Sequence, residues 1–442
     1  MSIQGHNIYY RNFISKVESR EIKIGIIGIG YVGLPLALNF CKKDINVIGF
    51  DINQKIICSL NNGESHIKHI KSDDIKKQIK SNKLTITDNF SLIKDLDGIL
   101  ICVPTPLKKS KEPDLSFIIK SLTKIKKYLK KGQCISIEST TYPGTTNEIV
   151  KPIIESMNFK IGEDFFLIYS PEREDPGNKN FKAFEIPKII GADKNLCAEI
   201  GKKLYELVTP KVILVSSTKA AEMTKLLENV YRAVNIGLIN ELKILAEHFD
   251  LDIHEIIRAA DTKPFGFKAF YPGPGVGGHC IPIDPIYLSW KAKQEFNFSM
   301  KFIDLADEIN SSMPLVICNK VIEALKKRSK ILNESKILVL GLSYKKNIDD
   351  CRESPSIKII NNLIKSGAKV SYCDPYFPSF SFCKDTINLE SYKINPENII
   401  RQDCILLITD HDVFEYELIE KYSKLIIDTR GRFSKSKNVI SA

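Results

Sequence analysis

The residues most able to do chemistry lie in one stretch, Gly273-Pro-Gly-Val-Gly-Gly-His-Cys-Ile-Pro-Ile-Asp284. A thiolate at Cys280 would attack aldehydes and acyl groups. Gly273, Gly275, Gly277 and Gly278 let the backbone come close to a ligand and offer N–H groups without side-chain bulk. Asp284 follows four residues after the thiol and can bring a carboxylate near the sulfur. Taken alone, such a cysteine reads first as a small core hydrophobe behind a tight turn; the rest of the chain reverses that preference.

The elements around this stretch form a second signal near the other end. Ile22–Ile27 reads as a buried strand that runs into Gly28-Ile-Gly30-Tyr31-Val32-Gly33, then a helix over Leu34–Cys41 and a strand over Asn46–Phe50 that ends at Asp51. The acid stands 51 − 28 = 23 residues after the first glycine. A strand, GxGxxG, a helix and an acid at the next strand's tip make a dinucleotide-binding fingerprint. Gly28 allows the tight turn, Gly30 admits a pyrophosphate, Gly33 lets helix and strand pack closely, and the helix N-terminus receives the phosphate charge. Asp51 would bond the ribose hydroxyls and repel a 2′-phosphate, which favours NAD over NADP. The alternative is a plain βαβ unit without ligand.

Further strands follow over 97–103, 133–137, 165–169, 188–190 and 211–215. Turn-rich residues trail three of them: Pro104-Thr-Pro106, Glu138–Gly144 and Ser170–Gly177. Ligands of open parallel sheets bind beyond the carboxyl ends of strands, so these loops are placed to meet cofactor or substrate. A long helix begins near Ser217, a candidate N-cap, and continues to about Phe249. Lys225 and Asn229 lie four apart on one of its faces, a spacing that by itself reads as a solvated pair. A helix over about 252–261 leads to the Cys280 loop, and helix returns from about 286 to 328 with a kink or break at Pro314. Strands over 336–342, 368–373, 403–409 and 424–428 then repeat the first pattern. The turn after Leu342 lacks a full GxGxxG, so a nucleotide or sugar-nucleotide suits it better than a second NAD. The expected fold is α/β, with two Rossmann-like, doubly wound parallel-sheet domains (1–215 and 329–442) joined by a central helical domain (216–328) that carries the long helix and Cys280.

Composition excludes several classes. At 442 residues the chain exceeds one hydrophobic core, and 43% hydrophobic with 26% charged residues is ordinary for a globular protein. No apolar run reaches membrane-spanning length, and no secretory signal opens the chain. Eleven scattered cysteines without a CxxC pair suit reduced thiols in a cytoplasm. His66 and His69 are close but no paired cysteines accompany them, so no metal site is expected. The net charge of +11 is dispersed in short lysine runs without interleaved aromatics, which argues against nucleic acid and fits an anionic, phosphorylated substrate.

An NAD site together with an activatable cysteine suggests oxidation at the aldehyde level. The thiolate adds to an aldehyde, the thiohemiacetal gives up a hydride, and water hydrolyses the thioester. That chemistry also needs an oxyanion donor and a base. Lys225, Asn229, Asp284 and Glu172 are the right residue types, although spacing alone does not gather them.

From Glu21 to about Arg432 the chain resembles the UDP-glucose/GDP-mannose dehydrogenase family, nucleotide-sugar dehydrogenases that oxidise C6 twice, from alcohol to carboxylate. The matching residues are Gly28-x-Gly-Tyr-Val-Gly33, Pro104-Thr-Pro106, Ser139-Thr140, Pro171-Glu172, Glu222-Met-x-Lys225-x-x-x-Asn229, Gly277-Gly-x-Cys280-x-Pro-x-Asp284, Gly341-x-x-Tyr-Lys345, Asp350-x-Arg352-x-Ser-Pro355 and Asp428-x-Arg430. The resemblance implies that Cys280 is the nucleophile of the second oxidation. Lys225 would stabilise the developing alkoxide, with Asn229 as second donor. Asp284 and Thr140 would hold or activate water, and Glu172 would be a base for thioester hydrolysis. Tyr31, Val32, Thr105, Thr140 and Arg352 would join the glycines and Asp51 around NAD. Tyr271, Gly277, Lys345 and Arg430 would hold a UDP-sugar with Lys225 and Asn229, and the long helix would form the interface of a homodimer or higher homo-oligomer.

Ser139–Thr145, Ser170–Asn178, Thr262–Phe267 and Phe270–Gly275 depart from the UDP-glucose enzymes and are similar to the branch acting on UDP-N-acetylhexosamines, UDP-N-acetylglucosamine especially. UDP-glucose enzymes carry a substrate-binding Arg sixteen residues before the catalytic Cys; here 280 − 16 = 264 is Pro264. A contact from the partner subunit is therefore not implied. Arg173 either replaces part of it as a substrate ligand or is an idle loop charge.

Overall fold

The computed structural model describes residues 7–68, 70–173, 185–382 and 386–442. The chain gathers into two compact units, Met1–Glu228 with Ile286–Phe296, and Asn229–Pro285 with Asn297–Ala442.

Unit one is built on an eight-stranded sheet: β1 (Lys23–Ile27), β2 (Asn46–Phe50), β3 (Leu84–Thr87), β4 (Gly98–Ile101), β5 (Cys134–Ile137), β6 (Phe166–Tyr169), β7 (Lys188–Gly191) and β8 (Val212–Val215). Their order is β3-β2-β1-β4-β5-β6-β7-β8. Strands β4 to β7 are buried along their whole length, as expected of strands covered by helices on both faces. Ile24, Ile26, Phe40, Leu100, Phe166, Ile168 and Leu204 form part of one core. The order reverses between β1 and β4, the switch point at which such sheets bind ligands. One pairing departs from the expected parallel sheet: β7 runs antiparallel to β6.

Unit two contains a parallel five-stranded sheet, order β10-β9-β13-β14-β15, with β9 (Lys336–Leu340), β10 (Lys369–Cys373), β13 (Cys404–Leu407), β14 (Ile426–Asp428) and β15 (Val439–Ser441). Beside it, β11 (Ser379–Phe382) and β12 (Ile387–Glu390) pair antiparallel. This pair, β15 and, in unit one, β3 go beyond the strands read from sequence.

The helix Thr218–His248 is a single 31-residue element. Ser217 does cap it, its Oγ accepting the Ala220 N–H at 3.1 Å. Of the kink or break expected at Pro314, the break is corrected. The interruption falls between the helices Asp284–Phe296 and Lys301–Lys326, where Asn297 takes a left-handed φ of 49°. Pro314 sits inside the second helix. Its missing N–H leaves the Asn310 carbonyl without its helical partner, and Gly275 packs against that oxygen; a Cβ there would lie 3.1 Å from it. Among the described residues no helix is long and apolar enough to cross a membrane.

Candidate active site

Three glycines after β1 have three different surroundings. Gly28 has φ +90°, and a Cβ on it would meet the Cys102 carbonyl oxygen at 2.7 Å. A Cβ on Gly33 would fall 1.9 Å from the Gly28 oxygen, so the first turn of the helix Gly33–Lys42 can approach only because that residue has none. A Cβ on Gly30 would meet nothing within 4 Å. Val32 stands at the helix cap and supplies no side-chain acceptor to the first-turn N–H groups. Tyr31 and Val32 are half-buried beside it. Asp51 Oδ2 accepts the Ile29 N–H at 3.1 Å, and Oδ1 accepts those of Ile52 and Asn53 at 2.8 and 2.9 Å. The carboxylate is thus aimed beside the turn. Open space at Gly30, an uncapped helix start and a fixed acid suit a dinucleotide.

The loop after β4 carries Thr105, which is buried. Its carbonyl, with that of Pro106, accepts the Tyr287 hydroxyl at 2.7 and 3.1 Å. Sequence reasoning missed Tyr287; a tyrosine within an apolar helical run gives no signal of the loop it anchors.

The loop after β5 carries Thr140, half-buried. Ser139 Oγ donates to the Val103 carbonyl at 2.7 Å. Glu222, fully buried on the long helix, holds the rest. One oxygen accepts the Gly144 N–H at 2.6 Å; the other accepts the Thr146 N–H at 2.8 Å and the hydroxyls of Thr146 and Thr141 at 2.7 and 3.3 Å. Burial pushes the Glu222 carboxyl up to about 7, against the pull of those donors. Lys225 lies one turn further along and is 8% exposed.

After β6, Glu172 is half-buried. One of its oxygens accepts the Arg173 N–H at 2.7 Å, and the other meets Lys188 Nζ at 3.3 Å. Lys188 also reaches Glu138 at 2.7 Å. Glu138 in turn accepts the hydroxyls of Tyr205 and Ser136. Burial opposes the Lys188 charge, yet Glu138 and Glu172 together hold its pKa above the ordinary lysine value. Arg173 is not idle: its Nε and Nη2 reach Glu228 Oε1 at 2.8 and 2.6 Å, and Nη1 donates to the Pro187 carbonyl at 2.8 Å. The remainder of the Ser170–Asn178 segment, from residue 174 on, lies outside the described residues, as does His69.

In unit two, Cys280 is half-buried, and its carbonyl accepts the N–H groups of Ile283 and Asp284 at 3.1 and 2.8 Å. It therefore sits one turn ahead of the helix Asp284–Phe296. Asp284 is 2% exposed, and its Oδ2 accepts the Asn229 amide at 2.5 Å. The glycines before Cys280 are filled from the C-terminal part of the chain. A Cβ on Gly277 would meet Tyr344 Cβ at 2.6 Å, and one on Gly278 the Tyr344 ring at 2.9 Å. The Gly278 N–H donates to the Arg352 carbonyl at 2.9 Å. A Cβ on Gly273 would meet the Arg430 guanidinium at 2.9 Å. Arg430 Nε donates to the Ile408 carbonyl at 2.7 Å. Arg352 grips Asp350 through Nε and Nη2 at 2.6–3.0 Å. Lys345 is half-buried. Tyr271 is 49% exposed and stacks on His254, with centroids 6.0 Å apart.

Within unit one the structure therefore brings Gly28, Gly30, Gly33 and Asp51 together. Within unit two it joins Asn229 to Asp284 beside Cys280, and Gly277 to the segment that bears Lys345.

The comparisons divide the chain into three segments. Residues 22–209 match the UDP-glucose/GDP-mannose dehydrogenase family, NAD binding domain; residues 219–312 match its central domain, and 338–435 its UDP binding domain. The chain is 36% identical over 422 residues to UDP-N-acetyl-D-mannosamine dehydrogenase of Methanococcus maripaludis, covering 92% of each chain. It is 34% identical over 411 residues to UDP-N-acetyl-D-glucosamine 6-dehydrogenase of Pseudomonas aeruginosa, covering 92% of this chain and 94% of that protein. The solved structure of the UDP-D-ManNAc dehydrogenase of Pyrococcus horikoshii superposes with a TM-score of 0.85 at 32% identity, over 94% of this chain and 97% of that one.

Proposed function

The chain belongs to the UDP-glucose/GDP-mannose dehydrogenase family and is an NAD-dependent nucleotide-sugar dehydrogenase; from that premise we propose that it oxidises C6 of a UDP-N-acetylhexosamine twice, to the uronate, in the cytoplasm and for surface polysaccharide synthesis. UDP-N-acetylglucosamine is our first candidate, on the loop sequences after β5 and β6 and before Cys280. UDP-N-acetylmannosamine is the second, supported by the names of the relatives from Methanococcus and Pyrococcus.

One observation carries the reading: a half-buried thiol one turn ahead of a helix whose first residue, Asp284, is a buried carboxylate bonded to Asn229. A nucleotide-binding protein without chemistry has no need of that arrangement. Bound NAD supplies the hydride acceptor for both oxidations. Gly28, Gly30, Gly33, Asp51 and Thr105 hold it. Lys225 and Asn229 donate to the oxygen that gathers charge. Cys280 captures the aldehyde as a thiohemiacetal and, after the second oxidation, holds the acyl group as a thioester. Asp284 and Thr140 order water, and Glu172 takes a proton from it. Lys345, Arg430, Tyr271, Gly277 and Arg173 bind the UDP-sugar. The protein works as a homodimer through the helix Thr218–His248, where Tyr231, Leu238, Leu242 and Leu245 stand 40–50% exposed on one face.

The test is NADH release across a panel of UDP-sugars, with two NADH expected per sugar oxidised. Cys280→Ser should retain NAD and lose uronate formation by at least about 10³-fold. Unchanged uronate formation in that variant would refute the nucleophile assignment.

A further inference from the structure

The reversed strand β7 has a chemical consequence. In a fully parallel sheet the first residue of a strand lies at the edge away from the ligands. Here β7 pairs antiparallel with β6 through Tyr169 and Gly191. Extending that register, 169 + 191 = 172 + 188, sets Lys188 opposite Glu172, and their side chains meet at 3.3 Å. The opening residue of β7 therefore stands at the carboxyl end of β6, in the loop region where substrates of such sheets bind.

Lys188 is sealed, with 11% of its side chain exposed, and Glu138 beneath it is fully buried. Glu138 is itself held by Ser136 Oγ at 2.7 Å and by the Tyr205 hydroxyl. One buried lysine therefore joins two carboxylates of unlike exposure, Glu138 at 0% and Glu172 at 23%. A buried ion pair is weak evidence for stability, and Glu138 alone would balance the charge of the ammonium. The second contact, to the more exposed carboxylate, fits a role in the reaction.

We propose that Lys188 is the positioning residue of thioester hydrolysis, holding the Glu172 carboxylate oriented and ionised so that it can take the proton of the attacking water. The inference rests on the reading of Glu172 as that base. In the step, water oxygen bonds to the thioester carbon, its proton passes to Glu172, the C–S bond breaks, and Cys280 leaves as thiolate. The products are the carboxylic acid, the thiolate and protonated Glu172, with no change of oxidation state. Lys188 touches none of the reacting atoms. It fixes one oxygen of Glu172 while the Arg173 N–H fixes the other, and small misplacements of a base are costly.

The experiment compares Lys188→Met with Glu172→Gln and with the double variant, reading the first-turnover NADH burst, the steady-state rate and the intact protein mass. Lys188→Met should keep the burst, slow the steady state by about ten- to hundred-fold, and accumulate a substrate-derived acyl group on Cys280. Lys188→Arg should restore much of the rate. The double variant should be no slower than Glu172→Gln alone, because Lys188 acts through Glu172. Equal slowing of burst and steady state, no acyl-enzyme, or additive losses in the double variant would overturn the proposal. If Lys188→Met does not fold, Lys188→Gln, which keeps a donor without the charge, makes the same comparison. Wild-type protein that releases no NADH from any UDP-sugar would sink the parent reading and this one together; wild-type turnover without the partition in the variants would sink this one alone.

Discussion

Two turns in this chain share a plan and differ in outcome. Each follows a strand, each opens on a glycine with φ near +90°, and each meets an aspartate at the end of the neighbouring strand. After β1, Asp51 is half-buried and Gly30 faces open space. After β9, Asp374 is fully buried, and its Oδ2 takes the N–H groups of Leu342 and Ser343 at 2.7 and 3.0 Å. His411 Nε2 lies 3.0 Å from the same oxygen. The Asn347 N–H donates to His411 Nδ1 at 3.0 Å, so Nε2 carries the proton that faces Asp374. Thr409 crowds Gly341; a Cβ there would meet it at 2.3 Å. In both turns the acid holds the first N–H after the glycine; in the first turn the position two residues on, Gly30, borders a space, whereas in the second it is Ser343, which is buried. Strand, glycine and acid therefore do not suffice for a dinucleotide site. What stands at the second glycine's position decides, Gly30 in one turn and Ser343 in the other.

The strongest way to break this contrast is Asp374→Ala. It leaves His411 Nε2–H and the N–H groups of Leu342, Ser343 and Tyr376 without their acceptor and should cost about 4 kcal/mol of stability, read by denaturant unfolding, with NAD affinity unchanged. NAD binding weakened in step with stability would put the second turn among the ligand sites. Next in size is a pH effect of opposite sign in the two units. Glu222 takes hydrogen bonds from neutral donors, and its folded value of about 7 lies above the ordinary 4.5. The Glu222 contribution to stability is thus fully present below pH 4.5 and is lost, by about 3 kcal/mol, as pH rises from there through 7. Asp374 is held below its ordinary 3.8: burial works to raise it, but His411 and backbone N–H groups outweigh that. Its contribution is present above about pH 4 and lost only as pH falls through the lowered value. Glu222→Gln should flatten the slope between pH 4.5 and 7; a slope that survives the substitution belongs to another group. The smallest effect is that of Asp51→Ala, which should weaken NAD by about ten-fold and relax discrimination against NADP while melting shifts little. Titration with both cofactors reads it.

Much of this was legible in the residues. The glycine fingerprint, the acid after β2, the Ser217 cap and the order of most strands follow from local patterns that carry physical reasons. Other features are set by partners distant in the chain. A strand's periodicity does not encode its direction, so the reversal of β7 was invisible. Lys188 opens an apolar run and looks like a solvated strand start; its burial depends on Glu138, fifty residues earlier. Pro314 signalled a kink or a break, and the helix runs on through it, while a break falls at Asn297 without a proline. Ser379-Phe-Ser-Phe382 and Ile387-Asn-Leu-Glu390 do alternate with the period of a strand, but four residues each are too few to stand out. His411 gave no signal, since nothing local separates a buried ring from an exposed one.

The glycine-rich segment before Cys280 has a mechanical corollary. Arg430 and Tyr344 each occupy the volume that a side chain would have filled on that short run of backbone. Side chains elsewhere absorb a push by turning about their own bonds, and these positions have none to turn. Whatever shifts the guanidinium or the phenol ring is handed straight to the main chain that carries the sulfur.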